Sequence, residues 1–149
     1  MILIRLFFFT LLMNWTPTTA HGQDGSAVVG RWKTGTNKAY LDIFKQKDHY
    51  FGKVAWLKKP YTTQGKPKTD LRNPESGLRD RPIMGLVILK NFVFEGGDEY
   101  GRGTIYDPES GKTYRCEMRL KHKDLLNVRG YIGIKAIGRT DTWHRVKQQ

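Results

Sequence analysis

Five charged residues of complementary chemistry crowd one short stretch of the chain: Asp70, Arg72, Arg79, Asp80 and Arg81. Carboxylate and guanidinium groups can pair through two parallel hydrogen bonds, so this segment can tie itself into a fixed loop. Alternatively, Arg79 or Arg81 receives the carboxylate or phosphate of a ligand. No two carboxylates are placed for the acid and base roles that hydrolysis needs. The other reactive residues form no constellation. Ser26, Ser76 and Ser110 lie outside any G-x-S-x-G elbow. Cys116 stands among alternating apolar residues, the wrong surroundings for an activated thiol. His21, His49, His122 and His144 have no spacing that sets two on one strand face, so neither a metal site nor a cofactor is expected. Only His144 could act as the single interior ligand of a haem-binding barrel. Binding rather than catalysis is the expected role.

The chain has 149 residues and a formal charge of +12, from 26 Lys+Arg and 14 Asp+Glu. Such a balance favours phosphate backbones through counterion release, but the N-terminus directs the reading elsewhere. Residues 1–5 end in Arg5, Leu6 to Met13 is an apolar run, and Thr16 to Ala20 is small and polar around Pro17. This is the layout of a secretory signal. Cleavage is expected after Ala20 or Gly22, leaving residues 23–149 as one exported domain, periplasmic or secreted, with no nucleic-acid partner. The apolar run is far shorter than the roughly 20 residues of a spanning helix, so an integral membrane protein is not expected. With a single Cys there is no internal disulfide, and the core must hold the fold unaided.

The elements that position these residues read as strands. Short alternating runs separated by turn residues predict strands near Ala27 to Thr34, Lys38 to Lys45, His49 to Leu57, Ile83 to Lys90, Tyr100 to Tyr106, Lys112 to Leu120, Leu125 to Tyr131 and Ile134 to Arg145. In Thr113 to Leu120 one face carries Tyr114, Cys116, Met118 and Leu120 and the other is mostly charged. The turn Asp107-Pro108-Glu109-Ser110-Gly111 recurs with Asn for Asp as Asn73-Pro74-Glu75-Ser76-Gly77. The second copy sits in one long connection, residues 58–82, which reads as a lid. Successive hairpins favour an all-β, eight-stranded antiparallel up-and-down barrel, because closure leaves no exposed edge. A barrel of that size is either filled by side chains or holds one small ligand. Its expected wall comprises Leu41, Ile43, Tyr50, Val54, Trp56, Ile105, Tyr114, Met118, Leu126 and Val128. The strand from Ile83 is apolar on both faces and has no readable orientation. A small hydrophobic or amphipathic ligand such as a fatty acid suits this wall, with Arg79 and Arg81 at the mouth for an anionic head. The alternative is a filled barrel whose basic surface binds a partner.

Gly30-Arg31-Trp32 resembles the G-x-W of lipocalins and the wider calycin group. There the Trp closes the barrel floor beneath an Arg from the last strand, a role that Arg139 or Arg145 would take here. A longer series is similar to a bacterial exported family known as domain of unknown function 2147. It comprises Gly52-x-Val54-x-Trp56, Asp70-x-x-Asn73-Pro74, Arg79-x-Arg81-Pro82-x-x-Gly85-Leu86, Gly103-x-Ile105-Tyr106-Asp107-Pro108, Gly111-Lys112-Thr113-Tyr114, Val128-Arg129-Gly130-Tyr131 and Gly138-Arg139-Thr140-x-x-Trp143-x-Arg145. The resemblance implies a calycin-like barrel in a bacterial periplasm or secreted fraction, with no agreed activity.

Overall fold

The computed structural model describes residues 25–147, so the leader and its cleavage positions lie outside the described residues. Eight strands follow in order: β1 (Gly30–Lys33), β2 (Ala39–Gln46), β3 (His49–Leu57), β4 (Val87–Gly96), β5 (Glu99–Asp107), β6 (Lys112–His122), β7 (Leu125–Tyr131) and β8 (Gly138–Arg145). Each pairs antiparallel with the next, and β8 returns to β1 through Trp32 opposite Arg145, closing the barrel. No helix among the described residues is long and apolar enough to cross a membrane.

β3 and β7 have the expected bounds, β2, β5 and β6 differ from them by one or two residues, and three strands differ by more. Ser26–Val28 forms a 3-10 turn instead of starting β1. β8 begins at Gly138 because the Ile137 N–H closes a turn on the Ile134 carbonyl. β4 runs from Val87 to Gly96 because residues 83–86 end the preceding loop, where the Ile83 N–H bonds the Lys68 carbonyl. At the other end of β4, Gly96 and Gly97 both take positive φ, the conformation a tight hairpin requires.

Bulges decide which side chains enter the bore. In β4 Asn91 takes the left-handed conformation, φ +61°, and the ladder to β3 slips there. Leu89 and Phe92, three residues apart, therefore both point inward and are fully buried. They lie against Gly52 and Gly103, where a Cβ would collide with the Leu89 and Phe92 side chains respectively. Around them Ile43, Tyr50, Tyr100, Met118 and Leu126 fill the lower half of the barrel. Tyr50 and Tyr100 meet edge to face, ring centroids 5.2 Å apart.

The bottom is sealed by residues 25–29. Tyr100 donates to the Gly25 carbonyl at 2.6 Å, and the Trp32 indole N–H donates to the Val28 carbonyl at 2.8 Å. Arg145 lies over the Trp32 ring at 4.2 Å and donates to the carbonyls of Lys123, Val29 and Ala27 at 2.5, 2.8 and 2.6 Å. Gly30 runs so close beneath that a Cβ there would strike the Arg145 guanidinium, and its φ is +138°. Arg139, the other candidate for this role, is six residues back along β8 at the opposite end.

The long connection is a built structure rather than a free lid. A small ladder joins Tyr61 to Pro67 and another joins Thr69 to Pro82. Its Asn73 turn and the Asp107 turn adopt the same Asx geometry: the side-chain oxygen of each accepts the N–H two residues on, at 2.9 Å. The two copies also touch, since a Cβ at Gly111 would strike the Arg72 carbonyl.

Because Trp32 is fully buried under Arg145, Trp32→Ala is expected to cost about 3–5 kcal/mol in urea unfolding. A loss under about 1 kcal/mol would show that the floor is not closed by this ring.

Candidate functional site

Above the filled half the barrel is hollow. A cavity of about 1290 Å³ opens at the end where β2, β4, β6 and β8 begin. Its wall is apolar, with Leu41, Val54, Ile88, Ile105, Val128 and Trp143, and Tyr106 and Tyr114 stand among them. That volume exceeds the roughly 300–1,000 Å³ of ordinary small-molecule pockets. The Trp143 indole N–H donates to Asp141 Oδ2 at 2.7 Å, and the same oxygen accepts the Gly35 N–H at 3.3 Å. The ring is thereby fixed at the wall with its polar edge satisfied.

The rim is charged. Lys38, Lys58, Lys59, Lys68 and Arg139 line it together with Asp107, Glu109 and Asp141. The acids are engaged: Asp107 accepts from the Glu109 N–H and the Ser110 hydroxyl, Glu109 pairs with Lys38 at 3.7 Å, and Asp141 holds Trp143. Lys58, Lys59, Lys68 and Arg139 make no ion pair among the described residues. These four cations are thus the rim charges without an ion-pair partner among the described residues.

Beside the cavity wall the long loop is anchored by a buried carboxylate. Asp70 is fully buried and accepts four hydrogen bonds. Tyr106 Oη donates to Oδ1 at 2.5 Å, while Asn73 Nδ2 and Arg81 Nε and Nη2 donate to Oδ2 at 2.8, 2.9 and 2.8 Å. Burial pushes the Asp70 carboxyl up, but the bonds from Tyr106, Asn73 and Arg81 outweigh it and hold it below the usual carboxylate range. Burial, and then the Asp70 charge, raises the Tyr106 hydroxyl. A polar network with every member satisfied fixes the loop and with it one side of the mouth.

Comparison with known proteins decides the family. The sequence profile of an uncharacterized protein conserved in bacteria (DUF2147) matches residues 30–145, from the Gly30 that runs beneath Arg145 to Arg145 itself. The chain belongs to the DUF2147 family. No curated protein matches it. The solved structure of HP1028 from the human pathogen Helicobacter pylori, described as belonging to the lipocalin family, superposes with a TM-score of 0.69. The two are 24% identical over 80% of this chain and 82% of that one, a likeness of fold.

In this DUF2147 barrel the expected wall residues divide into three groups. Leu41, Val54, Ile105, Tyr114 and Val128 line the cavity. Ile43, Tyr50, Met118 and Leu126 belong to the filled half below it. Trp56 faces out, 39% exposed, with its ring tilted against Tyr40 at 4.5 Å between centroids. The reason is a bulge: Tyr40 pairs with Trp56 but Leu41 with Val54, so Ala55 is supernumerary and Leu57 takes the inward place. Arg79 and Arg81 do not line the cavity. Arg81 is held by Asp70, and Arg79 Nε donates to the Asn73 carbonyl at 2.8 Å, because both follow the turn that Asp70 anchors. Arg139 is a rim residue rather than part of the floor, and His144 is exposed on the outer face. Trp143 lines the cavity although the expected wall omits it; its place two positions before Arg145, hence on the same strand face, was the signal. The rim lysines had no signal beyond their places at strand ends.

Two outcomes follow from the buried groups. A native carboxylate held below its ordinary value stabilises the fold fully above pH ~4 and loses that contribution as pH falls through the lowered value. Asp70→Asn is expected to cost about 1–3 kcal/mol at pH 7 and to flatten this acid limb of urea stability measured against pH. Cys116 is buried, and burial, with the neighbouring Glu117, pushes its thiol up to about 12. It should stay unlabelled by a disulfide reagent at pH 8 until the protein is unfolded.

Proposed function

We propose that this protein is an exported, lipocalin-like binding protein, periplasmic or secreted, that carries or senses one small, largely apolar ligand. The observation that carries the reading is the cavity itself: an apolar chamber above a packed floor, open at one end. Apolar walls with a few placed polar groups are the usual surroundings of a bound small molecule. The ligand is amphipathic, of the fatty-acid type, with its chain against Leu41, Val54, Ile105 and Val128 and its anionic head at the rim. Lys58, Lys59, Lys68 and Arg139 meet that head, in place of Arg79 and Arg81. The carboxylates that line the chamber are already engaged, Asp141 with the Trp143 indole, Asp107 with the Glu109 N–H and Ser110 hydroxyl, and Glu109 with Lys38, which supports carriage over catalysis. The leader-like residues 1–22 support export.

Trp143 lines the chamber whereas Trp56 is outside it, so the two report differently. Titration with long-chain fatty acids is expected to change tryptophan emission in wild type and in Trp56→Phe, and to leave Trp143→Phe unchanged. Val128→Arg should abolish the response. Native mass spectrometry of the purified protein should reveal a co-purified small molecule. An empty protein that also gives no emission change across fatty acids and related amphiphiles would overturn the carrier reading.

A further inference from the structure

The two ends of the barrel show different surfaces to solvent. At the floor end the turns are short and polar: Lys47-Asp48, Gly97-Asp98 and Lys123-Asp124. The open end is built from four connections, residues 34–38, 58–86, 108–111 and 132–137. Among the described residues, six of the eight exposed large hydrophobic side chains, Tyr61, Leu71, Met84, Ile132, Ile134 and Ile137, lie in these connections, whereas Val29 is at the floor and Trp56 is on the outer face of β3. Single exposed apolar residues need no explanation, but a group gathered at one end of a barrel does.

The β7–β8 connection carries the densest part of this surface. Ile132, Ile134 and Ile137 are 66%, 62% and 74% exposed. Their loop is braced from within. Arg129 donates from Nε and Nη2 to the Lys135 carbonyl at 3.1 and 2.8 Å, and from Nη1 to Thr140 Oγ1 at 2.9 Å. The Lys135 ammonium pairs with Glu117 at 2.6 Å. Folding the isoleucines back onto the barrel would break these bonds, so the fold presents them outward. Positive charge is at the same end of the barrel: the β3–β4 connection across the mouth holds Lys58, Lys59, Lys66 and Lys68, none in an ion pair among the described residues. An end of the barrel that carries both exposed apolar tips and unpaired lysines complements a surface whose headgroups are anionic and whose interior is hydrocarbon.

We propose that the open end of the barrel docks on an anionic lipid bilayer, with the Ile132–Ile137 hairpin at the acyl boundary and the rim lysines on headgroup phosphates. The mouth of the chamber then faces the bilayer, and an apolar ligand can pass between them without crossing bulk water. That passage rests on the ligand reading above, whereas the docking does not.

The test is flotation of the protein, purified as a bacterial host accumulates it, with phosphatidylcholine vesicles that contain or lack about one-third phosphatidylglycerol. Wild type should float with the anionic vesicles and at least about tenfold less with neutral ones, and added salt should weaken the association. Ile134→Ser/Ile137→Ser should lose at least about tenfold while its melting temperature is unchanged. As a check that does not depend on that variant, emission of Ile134→Trp should shift to the blue on anionic vesicles. No flotation of wild type, equal flotation of the double serine variant, or an unshifted Ile134→Trp spectrum would each overturn docking. A monomer–dimer equilibrium abolished by the serine pair, without vesicle binding, would assign the surface to a second copy and overturn it too. Fatty-acid titration without vesicles separates the two readings: protein that binds fatty acid but not vesicles loses only the docking, and the converse loses only the carrier role.

Discussion

The closed floor depends on one guanidinium. Arg145 ends the last strand, yet its donors reach the carbonyls of Ala27 and Val29 before the first strand and of Lys123 in the β6–β7 turn, while its plane covers Trp32. A barrel that closes β8 against β1 needs its first and last strands held in register, and only two residue pairs of that ladder do so. The guanidinium adds charge-assisted bonds and a cation–π contact at that weakest seam. It also satisfies carbonyls of the N-terminal segment that would otherwise be unpaired beneath a packed core.

With the bottom sealed, the bulges and glycines determine how far the packing rises. Gly52 and Gly103 have no side chain to contribute, and Leu89 and Phe92 occupy the room they leave. Tyr50, Tyr100 and Met118 complete that layer, and all are buried from solvent. Above it the inward residues are mostly aliphatic side chains on opposite walls that do not reach one another, and the chamber results. One fold thus combines the two possibilities open to an eight-stranded barrel, filled below and hollow above.

The mouth is held by polar contacts instead of packing. Asp70 draws Tyr106 from the barrel wall and Asn73 and Arg81 from the loop onto one carboxylate, and Gly111 of the Asp107 turn lies against the Arg72 carbonyl. Asp141 does the same for Trp143 and the β1–β2 turn. These acids take up local donors, which leaves the rim lysines as the outward electrostatic character of the open end.

The strand pattern, the hairpin turns and the inward face of most strands were legible in the sequence, because alternation of period two and local turn chemistry act over a few residues. Thus β3 and β7 begin and end where the residues say, and Cys116 and Met118 lie on the buried face as their alternation requires. Trp56, Leu57, Leu89 and Phe92 were not legible in this way, since a bulge shifts the phase only when a neighbouring strand imposes its register. Nor could the charged segment say whether Arg81 would meet a ligand or Asp70, because that depends on Tyr106 arriving from a strand thirty-six positions away from Asp70. The sequence by itself determined an all-β chain with a Trp and an Arg suited to closing it. Only the tertiary structure decided where packing stops and the chamber begins, because cavity volume is a sum over side chains that meet across the bore and never along the chain.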